Sequence, residues 1–165
     1  MHRCGSDEVT RLLGIDLGER RIGVALGDPA TGHARPLVTL ARRDVATDAA
    51  SLGRLAREHD VLELIVGLPL SLDGTEGPQA ERTREWATAL APLTGLSITW
   101  QDERHTSADA ERRIGGPGRG RAGGAPSAAA MRAYRARVDR EAASAIAQAA
   151  LDARRAPSID DLVRS

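Results

Sequence analysis

With 165 residues the chain is long enough for one domain around a single core and too short for two of ordinary size, so one active site is expected. Hydrophobic residues make up 41% and charged residues 28%, which excludes a disordered or membrane-embedded chain. No apolar run approaches the roughly 18 residues of a membrane helix, and the start MHRCGSDEVTR lacks a signal-peptide core, so the expected location is the cytoplasm.

Arg11 to Asp16 reads as a short apolar strand. Gly18, Glu19 and Arg20 turn it into a second strand, Arg21 to Leu26, which predicts a β-hairpin. Gly27, Asp28, Pro29 and Gly32 supply another turn, followed by a third strand over Arg35 to Leu40. Apolar residues at helical spacing then predict a helix over Asp44 to His59, with Asp44 as its N-cap. Val61 to Leu68 is a nearly continuous apolar run of strand length, the pattern of a central parallel strand covered on both faces. A second helix is expected over Glu76 to Leu93, stopped by Pro92 and Gly95, and a last strand over Leu96 to Gln101. Alternating strands and helices imply parallel crossover units with a crevice at the carboxyl ends of the strands. The expected fold class is therefore α/β, with a central mixed five-stranded sheet flanked by helices. Six glycines within Gly115 to Gly124 predict a mobile loop, and the alanine-rich stretch from about Pro126 to Arg155 a helix in which Asp139 could cap a new segment. Residues 1–10 and 156–165 read as tails around a domain over 11–155.

The chemistry is narrowed first by exclusion. Cys4 is the lone cysteine, and the histidines at 2, 33, 59 and 105 contain no i, i+4 pair, so any metal must sit on carboxylates. Asp16 ends an apolar strand and is followed by Gly18, which suits either a crevice-facing acid or a turn cap. Asp102 and Glu103 end the last strand. Alternation puts them on opposite faces, so only one can join Asp16, and the sequence does not choose which. Asp139 opens a run of small residues that permits close helix packing; alone it could simply be an acid near a helix N-terminus. The glycine-punctuated segment 66–77 could hold phosphate or form a structural turn. The net charge is zero, yet Arg112 to Arg137 contains seven arginines and no acid, a segment that suits phosphate contacts or a solvated basic loop.

The blocks GIDLGERRIGVALGDP at 14–29, VGLPLSLDGTEGPQAERTREWA at 66–87, QDERHTSADAE at 101–111 and DREAASAIAQAALD at 139–152 occur in an order and spacing that resembles the YqgF/RuvX family of RNase H-like nucleases. These are relatives of the RuvC Holliday-junction resolvases and are associated with maturation of the 5′ end of pre-16S ribosomal RNA. The resemblance spans about residues 12–152. It implies an RNase H-like fold with Asp16, Glu103 and Asp139 as catalytic residues and metal ligands. It also implies Mg²⁺ or Mn²⁺, since hard carboxylate oxygens suit those ions and two of them can activate water and stabilise a leaving oxygen. Arg104, Thr106, Arg112, Arg113, Arg119, Arg121, Arg132, Arg135 and Arg137 are the candidate nucleic-acid contacts. Ser71 and His105 depart from the family pattern, where Asn and an apolar residue are expected, and the glycine-rich insertion is long. Expected partners are structured RNA or branched DNA and ribosomal precursor particles, with no membrane; the protein could be a monomer or a homodimer. Three other readings stand beside this one: a sugar-kinase-like ATPase sharing the Asp-x-Gly hairpin, a non-catalytic nucleic-acid-binding module, and a resolvase of four-way DNA junctions.

Overall fold

The computed structural model describes residues 10–104, 112–118 and 123–155. Its elements are β1 (Arg11–Leu17), β2 (Arg21–Asp28), β3 (His33–Ala41), α1 (Val45–Glu58), β4 (Val61–Leu68), α2 (Pro78–Thr94), β5 (Ser97–Asp102) and α3 (Ala128–Arg155). The strands form one mixed sheet in the order β3-β2-β1-β4-β5, antiparallel across β3-β2-β1 and parallel across β1-β4-β5. The middle strand is β1 rather than β4, because β1 joins the hairpin to the parallel units. β4 is still paired on both sides, in keeping with its apolar sequence.

Strand alternation sorts the sheet into two faces. Leu13, Ile15, Leu17, Ile22, Val24 and Leu26 pack beneath α1 and α2, together with Leu52, Trp86 and Leu90. Leu12, Ala25 and Ile65 meet α3 on the other face, against Ala143, Ile146, Ala147 and Leu151. Close approach on this second face depends on missing side chains. A Cβ on Gly14 would lie 2.7 Å from the Ala147 Cβ, and one on Gly23 would collide with the backbone carbonyl of Asp139.

The helices differ from the sequence expectations at their ends. α1 starts as expected, with the Asp44 carboxylate accepting from the Thr47 N–H at 2.9 Å. α2 begins at Pro78, two residues late, since proline's fixed φ suits a first helical position while Glu76 instead pairs with Arg84. It also runs through Pro92, whose position near the end removes little of the ladder, and stops at Gly95 with φ 69°. α3 is one helix of 28 residues, with Ser127 accepting from the Ala130 N–H. Asp139 therefore caps nothing and lies mid-helix, because no glycine or proline interrupts residues 128–155. The tails beyond the domain, and part of the glycine-rich loop at 119–122, lie outside the described residues.

Candidate active site

The three acids singled out from the sequence converge at the carboxyl edge of β1 and β4, on the α3 face. Asp16 stands near the end of β1, in register with Gly23 of β2. Because Gly23 lacks a side chain, α3 descends onto that position with the backbone of Asp139 against it. Glu103 follows β5 directly. Its N–H donates to the Leu68 carbonyl at 3.1 Å, which carries the chain back toward β4 and sets the carboxylate over Gly67. A Cβ on Gly67 would come within 2.8 Å of Glu103 Oε2. The ambiguity between Asp102 and Glu103 is thereby resolved: Asp102 turns outward to Arg104, whose Nε donates to its carboxylate at 2.7 Å, while Glu103 turns inward.

Burial dominates the electrostatics. It pushes the Glu103 carboxyl up to about 9, helped by the charge of Asp16 and by the proton the two groups can share. Asp16 rises to about 6, again chiefly by burial; its hydrogen bond to Glu103 and the Arg21 guanidinium pull it down, and Asp139 pushes it up. In the metal-free protein the pair thus keeps a proton at neutral pH. Glu103 Oε1 is buried with no hydrogen-bond partner, a costly condition for a carboxyl oxygen. Asp139 accepts from Arg21 Nε at 2.5 Å, in a partly buried ion pair. Among the described residues no three His, Cys, Asp or Glu side chains stand ready as they lie to enclose a cation, and Arg21 sits on the third acid.

The basic candidates divide. Arg132, Arg135 and Arg137 are exposed on the half of α3 that precedes Asp139, and Arg112 and Arg113 are exposed in a helical turn at 112–114. Arg104 is engaged by Asp102. Thr106, Arg119 and Arg121, like His105, lie outside the described residues. The segment 70–76 is a self-satisfied turn: the Ser71 N–H donates to the Thr75 carbonyl, the Gly74 N–H to the Ser71 carbonyl and the Thr75 N–H to Asp73. Those donors are already used, which removes the phosphate-loop reading for that half of the segment.

Several residues of the site escaped the sequence reading. Gly14, Gly23 and Gly67 make room for α3 and Glu103, and a glycine inside an apolar strand was the available signal. Arg21 was read only as the first residue of a strand. Arg42 and Arg82 line a groove of about 290 Å³ beside the hairpin turn Gly18–Glu19, and Arg42 Nη1 donates to the Gly18 carbonyl at 2.9 Å. Of the two tryptophans, Trp86 is core, donating to the buried Asp48 at 3.0 Å, and Trp100 carries the Arg84 guanidinium over its ring at 4.7 Å.

Comparison with known proteins bears on the family and the fold. A family model described as "RuvX: Holliday junction resolvase" matches residues 10–153. A protein of Anaeromyxobacter dehalogenans named "Putative pre-16S rRNA nuclease" is 43% identical over 147 residues, covering 89% of this chain and 99% of its own. A protein of the same name from Synechococcus elongatus is 42% identical, covering 88% of this chain and 91% of its own. Among solved structures, Thermus thermophilus RuvC in complex with a Holliday junction substrate superposes with a TM-score of 0.51 at 13% identity, over 88% of this chain and 96% of that one. The fowlpox virus resolvase bound to Holliday junction DNA gives 0.50 at 9% identity, over 87% and 97%. At those identities the likeness concerns the fold, which is RNase H-like.

Proposed function

The chain belongs to the RuvX family, and from that membership we propose that it is a divalent-metal-dependent nuclease that hydrolyses phosphodiester bonds in structured nucleic acid at Asp16, Glu103 and Asp139. The observation that carries this reading is the buried, unpartnered Glu103 Oε1 beside Asp16, with Asp139 brought to the same edge by Gly23. A buried carboxyl pair forced to keep a proton favours a cation that would remove the repulsion, and an all-oxygen donor set fits Mg²⁺ or Mn²⁺. Bound there, one or two such ions would supply Lewis-acid polarisation of the phosphate and an activated water.

The protein's own contribution is positioning. Asp16 is fixed by the centre of the sheet, Glu103 by its backbone bond to Leu68, and Asp139 by a mid-helix backbone pressed onto β2. With a cation held there, Glu103 would bind as the carboxylate, its proton released to solvent. The exposed arginines of α3 precede Asp139 on the same helix and suit a phosphate backbone led toward the acids, while the groove holding Arg42 and Arg82 lies beside the hairpin turn that follows Asp16. The expected product carries a 5′-phosphate. The substrate we favour is the 5′ end of pre-16S ribosomal RNA, presented on a precursor particle, as the names of the similar proteins suggest. With residues 11–155 as the catalytic unit, cleavage should need neither tail.

Cleavage of matched structured RNA, single-stranded DNA and four-way junctions, at one salt and one metal concentration, tests the substrate. Asp16→Asn, Glu103→Gln and Asp139→Asn are each expected to abolish metal-dependent cleavage while circular dichroism stays native. Full activity in any one of them removes that residue from the site. Symmetric cutting of junctions by a dimer, with RNA left intact, would replace the RNA reading with the resolvase one.

A further inference from the structure

Arg21 begins β2, immediately after the hairpin turn. By alternation it shares the α3 face with Gly23, the position onto which Asp139 descends. Its Nε donates to Asp139 Oδ2 at 2.5 Å, and its charge also lowers the Asp16 carboxyl. The Asp139 side chain is 19% exposed, whereas that of Arg21 is 32% exposed. The two partners therefore differ in freedom. The Asp139 backbone is pressed against Gly23, where any retreat would lift the helix, while Arg21 has the longer and more exposed side chain.

A divalent cation shared by the three acids would compete for the Asp139 carboxylate, whose Oδ2 Arg21 now holds, and a cation and a guanidinium on one carboxylate repel each other. The component free to move is the guanidinium. Once released, a part-exposed guanidinium beside the acids would present a planar fork suited to a phosphate oxygen. We propose that Arg21 is the resident counter-cation of Asp139, displaced by the incoming divalent cation and passed to a phosphate oxygen of the substrate. The inference rests on the proposed metal site. It adds that metal and substrate binding are coupled through one side chain: the cation is bound weakly until a phosphate accepts Arg21.

The test uses the full chain. Mn²⁺ affinity is measured by titration calorimetry without nucleic acid, alongside binding of a non-cleavable phosphorothioate RNA hairpin in Ca²⁺, for wild type, Arg21→Gln and Arg21→Lys. Arg21→Gln should bind Mn²⁺ about three- to tenfold more tightly, the scale of losing one competing charge-assisted hydrogen bond at a part-exposed site. It should bind the hairpin more weakly, with a salt slope shallower by about 0.7–0.9 per lost phosphate contact. Arg21→Lys should restore the weaker wild-type Mn²⁺ affinity, because the competing charge is back. Opposite-signed effects on metal and RNA are what a merely structural ion pair would not produce. Unchanged or weaker Mn²⁺ binding by Arg21→Gln, at an unchanged unfolding midpoint, overturns the inference and leaves the metal site standing. Wild-type Mn²⁺ binding that survives Asp16→Asn would mean the ion is elsewhere, and the inference and the proposed metal site would fall together.

Discussion

Glu103→Gln should make the metal-free protein more stable at neutral pH while abolishing its activity. The folded-state carboxyl of Glu103 is raised from 4.5 to about 9, so between those values the unfolded chain ionises while the folded one stays protonated. A group raised in this way binds more protons in the folded state, and stability falls as pH rises from 4.5 toward 9. At pH 7.5 the interval is about three pH units, or about 4 kcal/mol at 1.36 kcal/mol per unit; water entering this part-exposed site reduces that to about 2–4 kcal/mol. Gln has the shape and hydrogen-bonding capacity of the protonated acid and does not titrate. Its N–H can donate to Asp16 as the protonated acid does. The mutant should therefore melt about 5–10 °C above wild type at pH 7.5 in EDTA, with the gap closing toward pH 4.5. Thermal unfolding followed by circular dichroism from pH 4.5 to 8.5 reads this directly. A mutant less stable than wild type at pH 7.5, or a gap independent of pH, would refute the account of Glu103 as a buried acid waiting for a cation. In wild type, Mg²⁺ or Mn²⁺ should raise the midpoint increasingly as pH rises, and that increment should be small in the mutant.

Gly23→Ala should cost about 1–3 kcal/mol in urea unfolding, since its Cβ meets the Asp139 carbonyl, and cleavage should drop far more than the folded fraction. Neutralising Arg132, Arg135 and Arg137 together should weaken nucleic-acid binding across sequences and flatten its salt dependence, with single-turnover cleavage of bound substrate unchanged; an unchanged slope would make that half of α3 a solvated face. Trp86→Phe removes the indole N–H from Asp48, which is only 2% exposed, and should cost about 1–3 kcal/mol. Asp48→Asn in that background should recover part of the loss; no recovery would mean that packing, not the lost hydrogen bond, sets the cost.

Local patterns carried much of the molecule. The strand segments at 11–16, 21–26 and 35–40 marked off by glycine turns, the apolar run at 61–68 and the helical spacing after Asp44 each appear as expected to within a few residues. Asp16 was legible locally, as an acid at the end of an apolar strand, whereas Glu103 and Asp139 entered the proposed site only through the block spacing and the family resemblance. Three things were decided only by tertiary structure. The choice of Glu103 over Asp102 depends on a backbone bond to Leu68 across the sheet, after the strand has ended and alternation no longer applies. The continuity of α3 through Asp139 depends on what lies beneath it: no local rule distinguishes a capping acid from one pressed against a glycine of another strand. Gly23 and Arg21 are distant in sequence from the acid they serve, and their roles exist only where β2 and α3 meet. A sequence states which groups must be buried and which turns are possible. Only the packed chain decides which charges then face one another, because that energy depends on distances between residues that have no sequential relation.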